Sequence, residues 1–137
     1  MNIEVYDLKS LAPAPKVVPI TIKIRKTGII SFPNHTAEAL GLKPGEKIKI
    51  IRNLDAPSEW FVAVTVDDNA YVLCQNKGYI YIANKILAAH LIKNMSKNTN
   101  VEPPSLTMRI VKEPIEIDRF KKCHAILVTS QTEFIKK

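Results

Sequence analysis

The sequence has 137 residues, of which 46% are hydrophobic and 24% charged, and its net charge of +7 comes from 20 Lys+Arg against 13 Asp+Glu. This composition is typical of one folded domain rather than a disordered chain. No apolar run approaches the roughly 18 residues that a membrane span needs, so we expect no membrane association. An excess of cations favours a polyanionic partner.

The two cysteines, Cys74 and Cys123, are far apart and neither belongs to a Cys-x-x-Cys pair. A disulfide framework and a thiolate zinc site are therefore not expected. The first ten residues contain acidic side chains where a signal peptide would carry positive charge. Together these features favour the reducing cytoplasm as the location.

The first predicted elements follow a proline-containing stretch. Residues 1–19 read as an N-terminal arm, because Pro13, Pro15 and Pro19 restrict the backbone to extended conformations. Residues 20–27 alternate between isoleucine and polar side chains, which predicts a half-buried strand, and residues 29–32 predict a second. A short helix is expected next, capped by Asn34 and ended by Gly41.

Further strands are predicted at residues 47–50, 60–66, 71–75, 79–82, 106–111 and 125–129, and a second helix at 84–95. Residues 96–105 read as a linker or an exposed loop, and the charged stretch at 113–122 has no clear assignment. The predicted fold class is α+β, mainly antiparallel β, with about eight short strands and two helices. We expect residues 20–137 to form a single domain.

A short sequence echo recurs at a spacing of 50 residues. Residues 28–40 and 78–90 share a glycine, an isoleucine, an asparagine and an alanine, and both patterns predict strand, capping asparagine and helix. One interpretation is an internal pseudo-repeat of strand-strand-helix units, with half-units at 20–66 and 67–130. Chance resemblance between two strand–helix units is the alternative, since this turn and cap chemistry is common.

Catalytic signatures are not found in the sequence. His35, His90 and His124 are far apart and lack ligand-forming partners at helical or short-loop spacing. A glycine-rich phosphate loop and a Gly-x-Ser-x-Gly nucleophile motif are both missing. We therefore predict a protein that is not an enzyme and that uses neither a cofactor nor a metal.

One segment resembles a known family. Gly-Ile-Ile-Ser-Phe-Pro at 28–33, followed by Ala-Leu-Gly-Leu-Lys-Pro-Gly-Glu-Lys-Ile-Lys-Ile at 39–50, is similar to the AbrB/MazE/SpoVT-like swapped-hairpin family. The resemblance covers residues 20–51 only. It implies an intertwined homodimer that binds duplex DNA or, in antitoxins, a toxin partner. The family's arginines fall at Ile29 and Ala37 in this chain.

A weaker resemblance concerns element order alone. From residue 46 to 95 the predicted order of four strands and a helix is similar to whirly-type single-stranded DNA binders. That resemblance implies a curved basic sheet. Whether the target is duplex or single-stranded stays open at this point.

The predicted binding residues are cations and tyrosines, most of which alternation places in pairs on one strand face. These pairs are Lys23 with Arg25, Lys47 with Lys49, and Tyr79 with Tyr81, the tyrosines lying opposite Ile80 and Ile82. Cations that contact phosphates beside aromatic rings that stack on bases are typical of nucleic-acid binders. The set is Lys23, Arg25, Lys26, Lys47, Lys49, Arg52, Tyr79 and Tyr81.

We expect a DNA-binding transcriptional regulator, with DNA favoured over RNA as the target and a homodimer as the assembly. The alternative is a protein-protein interaction module, antitoxin-like or from the assembly of a mobile element, that binds no nucleic acid. A structural reading of the same residues is also open, because solvated strand faces ordinarily carry lysine, and tyrosines pair across sheets.

Overall fold

The computed structural model describes residues 18–96 and 103–133, and these ranges contain ten strands and two helices. In chain order the elements are β1 (Thr21–Arg25), β2 (Ile29–Pro33), α1 (Asn34–Leu40), β3 (Lys47–Arg52), β4 (Trp60–Thr65), β5 (Tyr71–Val72), β6 (Cys74–Asn76), β7 (Tyr79–Ala83), α2 (Lys85–Met95), β8 (Ser105–Ile110), β9 (Ile115–Ile117) and β10 (Phe120–Glu133). The predicted α+β class with a dominant antiparallel sheet is confirmed. The N-terminal arm lies outside the described residues except for its last two.

All strands belong to one antiparallel sheet in the order β5-β3-β4-β10-β8-β1-β2-β7-β6, with β9 paired to β10. The strands at the two ends of this order, β5 and β6, are separated in the chain by Leu73 alone. The Leu73 N–H donates to the Glu46 carbonyl, and the Leu73 carbonyl accepts from Gly45 N–H, each at 2.8 Å. The sheet therefore curves round into a nearly closed barrel.

The barrel interior is filled by one apolar core. Alternation along β1 turns Ile22 and Ile24 inward, where both are completely buried, and β2 contributes Ile30 and Phe32 in the same way. Both helices contribute apolar side chains to this core, among them Leu40 of α1 and residues 88, 91, 92 and 95 of α2. Because side chains alternate along a strand, the residues between these isoleucines lie on the opposite face of the sheet.

A second, smaller cluster lies on the opposite face of β3, β4 and β10. Phe61, Ala63 and Cys123 form its buried part, and Ile117 and Phe120 of the β9–β10 hairpin pack against it. Burial raises the pKa of the Cys123 thiol, because the thiolate would lose its hydration. The hairpin thus covers an apolar patch on the outer side of the barrel, separate from the interior core.

The two helices begin differently, and one predicted cap is wrong. Asn84 caps α2 as expected, because its side-chain oxygen accepts from Leu87 N–H at 2.9 Å. Asn34 is instead the first helical residue of α1 and makes no capping bond. Its backbone N–H donates to the Gly78 carbonyl at 3.0 Å, so tertiary contact satisfies the group. Gly41 ends α1 in the left-handed conformation, as predicted, with φ of 71°.

The strand count differs from the prediction at two places. The strand expected at 71–75 is interrupted at Leu73 and becomes β5 and β6. The unassigned charged stretch at 113–122 contains β9 and the start of β10, which meet at a tight turn where Asp118 adopts φ of 51°. Aspartate tolerates this conformation better than most residues, which explains how a charged segment can form a hairpin.

Neither helix in the described ranges has both the length and the apolar character needed to cross a membrane. The longer of the two, α2, has 11 residues.

Candidate nucleic-acid interface

A continuous surface is formed by the side of β6, β7, β2, β1 and β8 that points away from the core, and we call it the outer face. Strand register places Tyr81 opposite Ser31, Ser31 opposite Lys23, and Lys23 opposite Thr107. On the other side of Tyr81, its partner is Cys74. One straight row of side chains therefore crosses five strands, with an aromatic ring and a cation in it.

The two tyrosines of β7 lie next to each other on this outer face. Tyr79 and Tyr81 contact edge to face, with ring centroids 5.6 Å apart and planes inclined by 62°. Asn76 Nδ2 donates to the Tyr79 hydroxyl at 3.0 Å, which fixes the orientation of that ring. Ile80 and Ile82 face the core, so the predicted division of β7 into two faces is confirmed.

The cations of β1 lie on the same outer face. Lys23 is half-buried and Arg25 is exposed, and neither forms an ion pair with any residue in 18–96 or 103–133. Lys26 follows at the end of the strand, where its backbone N–H donates to the Pro104 carbonyl at 2.8 Å. Lys23 and Arg25 therefore retain their full charge toward a phosphate, because no carboxylate of the described residues competes for it.

Arg109 is a further cation of the outer face that the sequence analysis missed. It lies on β8, opposite Thr21 of β1, and its side chain is exposed. Its backbone N–H donates to Ser130 Oγ at 2.9 Å, where β10 bulges away from the regular ladder. Seventy-nine residues separate β1 from β8 in the chain, so no local pattern indicates that they are neighbours.

Lys47 and Lys49 lie elsewhere on the barrel, because β4, β10 and β8 separate their strand from β1. Lys49 Nζ is 2.8 Å from Asp67 Oδ2, and Lys47 Nζ is 3.8 Å from Asp68 Oδ1. The hydrogen bond from Lys49, joined by one from Arg119 at 2.7 Å, holds the pKa of Asp67 below its ordinary value, although burial opposes this. These lysines share a strand face as predicted. Asp67 neutralises Lys49, whereas Lys47 has only a long contact with the fully exposed Asp68.

Arg52 is held within the β3–β4 connection. Its Nε donates to the Pro57 carbonyl at 2.8 Å, and its guanidinium lies over the Trp60 ring, 4.7 Å from the centroid. Of the eight predicted residues, the structure thus brings Lys23, Arg25, Tyr79 and Tyr81 together, places Lys26 at the border, and separates the three cations of β3 from them.

The described residues contain no group of three or more His, Cys, Asp or Glu side chains that could hold a metal ion. His124 faces the core at 1% exposure, with Nδ1 2.9 Å from the Val111 carbonyl. Because a carbonyl only accepts, Nδ1 carries the proton, and Nε2 has no partner among residues 18–96 and 103–133. Burial lowers the pKa of His124, so the ring is neutral at neutral pH.

Comparison of the chain with protein-family models, with curated proteins and with solved structures found no match. A function is therefore inferred from the chain's own residues and their geometry.

Proposed function

We propose that this chain is a non-enzymatic nucleic-acid-binding protein that holds a single strand of DNA on its outer face. The observation that carries the proposal is the cross-strand row of Tyr81, Ser31 and Lys23. With strands spaced by about 4.8 Å, the ring and the ammonium group start from backbone positions about 10 Å apart. A stacking ring beside a free cation on a sheet is the usual construction of single-strand binders.

The two kinds of side chain have different roles in the proposed interface. Each base stacked on Tyr79 or Tyr81 is worth about 1–3 kcal/mol and carries little sequence preference. Lys23, Arg25 and Arg109 contact phosphates and release counterions, which makes the affinity depend on salt. A tyrosine pair favours single strands over duplex, because the base faces of a duplex are already stacked on one another.

The biological role that we propose is regulation of transcription in the cytoplasm. The similarity of residues 28–50 to swapped-hairpin regulators supports this role, since that stretch supplies β2, α1 and β3. The protein would act by occupying DNA, without chemistry on it.

We also propose that the two half-units of the chain are copies of one unit. Two reciprocal hydrogen bonds support this: Asn34 N–H donates to the Gly78 carbonyl at 3.0 Å, and Asn84 N–H donates to the Gly28 carbonyl at 2.8 Å. Each bond becomes the other when one residue number is raised by 50 and the other is lowered by 50. The echo in the sequence thus coincides with an exchange of contacts in space.

The order of strand pairing follows a similar exchange, although β8 and β10 begin 58 and 60 residues after β3 and β4 rather than 50. β1–β2 corresponds to β6–β7, β3–β4 to β8–β10, and β1–β8 to β5–β3. One chain then supplies the pairing that the swapped-hairpin resemblance assigns to two, so a homodimer is not needed to close the barrel. Sedimentation velocity tests this: a folded monomer supports an internal pair, and a dimer that unfolds on dilution refutes it.

Fluorescence anisotropy with random single-stranded and duplex oligonucleotides, over a series of salt concentrations, tests the proposed function. We expect single strands to bind at least about tenfold more tightly, with an affinity that falls steeply as salt rises. Absence of binding at low salt would refute nucleic-acid binding and would favour the protein-interaction module.

A further inference from the structure

A concave site lies away from the outer face. It is a groove of about 660 Å³ between the start of β3, the end of β4 with its following loop, and the β9–β10 hairpin. Pockets that bind small molecules have volumes of roughly 300–1,000 Å³, so a ligand of nucleotide size fits the space. The groove shares no residue with the outer face.

The floor of the groove is apolar and partly exposed to water. Val66, just beyond the end of β4, is 91% exposed. Phe120 of the hairpin completes the floor and is half-buried. Covering this surface with a planar ring would remove apolar area from water and so favour binding.

The planar guanidinium group of Arg119 lies beside this floor. The Arg119 guanidinium lies over the Phe120 ring, 4.6 Å from its centroid, and the Arg119 side chain is nevertheless 64% exposed. One of its nitrogens binds Asp67, which leaves further N–H donors and much of the planar group open. Guanidinium planes stack on nucleic-acid bases as well as on aromatic side chains, which favours a heterocyclic ring over an aliphatic ligand.

The rim of the groove is positive although two carboxylates line it. Asp67 is neutralised by Lys49 and Arg119 together, and the Glu46 carboxylate accepts from Lys43 N–H at 2.8 Å within its own turn. Lys121 is exposed and forms no ion pair with the residues in the described ranges, and Lys47 has only its long contact with the fully exposed Asp68. Two ammonium groups are thus available for a phosphate.

We propose that this groove binds a nucleotide, with the base against Val66 and Phe120 and the phosphate at Lys47 and Lys121. The ligand is either a free nucleoside monophosphate or the phosphorylated end of a strand, which present the same chemistry. The proposal goes beyond the function proposed above and does not depend on it, because the outer face uses other strands.

Titration with adenosine monophosphate, followed by the NMR signals of the Val66 methyl groups, tests the proposal in the full chain. We expect these signals to shift at millimolar ligand, and adenosine or inorganic phosphate alone to bind at least about tenfold more weakly. Unchanged Val66 signals, or equal binding of inorganic phosphate, would overturn the proposal. A terminally phosphorylated oligonucleotide that shifts the same signals at lower concentration identifies the strand end as the ligand, whereas a stronger effect of the mononucleotide identifies the free nucleotide.

Matched variants separate the groove from the rest of the surface. Val66→Ser removes an apolar contact from the floor, while Leu54→Ser removes an equally exposed apolar side chain from the β3–β4 loop, 82% exposed. The first should weaken nucleotide binding about threefold or more and the second should not change it. Lys121→Gln should also weaken it, with Lys93→Gln, which removes the same charge from an exposed position on α2, as control. Equal effects of groove and control variants would contradict the assignment. If the outer face proves not to bind single-stranded DNA, the results expected for the groove variants stay the same.

Discussion

Replacing Lys23 and Arg25 by glutamine removes two positive charges from the outer face while keeping the length and polarity of both side chains close to the original. Lys23 lies in the row with Ser31 and Tyr81, and Arg25 lies two residues further along β1. Neither forms an ion pair with a described residue, so the substitutions leave no carboxylate unpaired. The fold should therefore remain unchanged.

The effect on binding follows from counterion release. Each phosphate contact on a single strand contributes about 0.7 to the slope of log affinity against log salt, so loss of two contacts lowers the slope by about 1.4. The third cation of the face, Arg109, and both tyrosines remain. Binding should weaken without disappearing, and the loss should be greatest at low salt.

Fluorescence anisotropy with a single-stranded oligonucleotide, measured over several salt concentrations, gives both affinity and slope. The matched control is Lys93→Gln with Lys112→Gln, which removes the same charge from exposed positions on α2 and on the turn after β8. If the control lowers the slope as much as the double variant does, net charge rather than the outer face governs binding, and our reasoning is refuted.

Three further predictions concern stability and can be measured by urea denaturation. Gly28→Ala should lower the free energy of unfolding by about 1–3 kcal/mol, because Gly28 has φ of 116° and a Cβ there would lie 3.1 Å from the Lys85 backbone. The control Gly78→Ala should cost less, since Gly78 has φ of 87° and open space around it. Equal losses in the two variants would contradict this prediction. Phe32→Ala should cost about 3–5 kcal/mol, since the ring is completely buried, and a loss under about 1 kcal/mol would be incompatible with this core. Burial lowers the pKa of His124 in the folded protein, so its contribution to the free energy of unfolding is complete above its ordinary pKa of 6.5. That contribution is lost as the pH falls, by at most about 1.4 kcal/mol per pH unit. A His124→Gln variant whose free energy of unfolding keeps the same dependence on pH would disprove this role.

Strand faces were predictable because alternation is a local property. The isoleucines of β1 and β7 predicted which side chains turn inward, and Lys23 and Tyr81 therefore lie on the outside. The same argument placed Lys47 and Lys49 on one face, which is also correct. The helix stop at Gly41 was predictable for the same reason, since a left-handed glycine terminates a helix by itself.

Strand neighbours were not predictable, because pairing joins residues that are distant in the chain. Nothing near Arg109 indicates that β8 lies beside β1, and nothing in β3 indicates that Asp67 would bind Lys49. Asn34 and Asn84 show the same limit: both sequences favour a cap, but Asn34 N–H is satisfied by the Gly78 carbonyl instead. The composition of a binding surface depends on such contacts, so only part of the candidate site emerged from the sequence.

Photochemical crosslinking tests the central claim most directly. A single-stranded oligonucleotide carrying iodouracil forms bonds preferentially to aromatic side chains stacked on the base, and mass spectrometry of the digested protein identifies the crosslinked residue. Our account predicts crosslinks at Tyr79 or Tyr81, which share the outer face with Lys23. Efficient crosslinking confined to other elements, with both tyrosines unmodified, would contradict it.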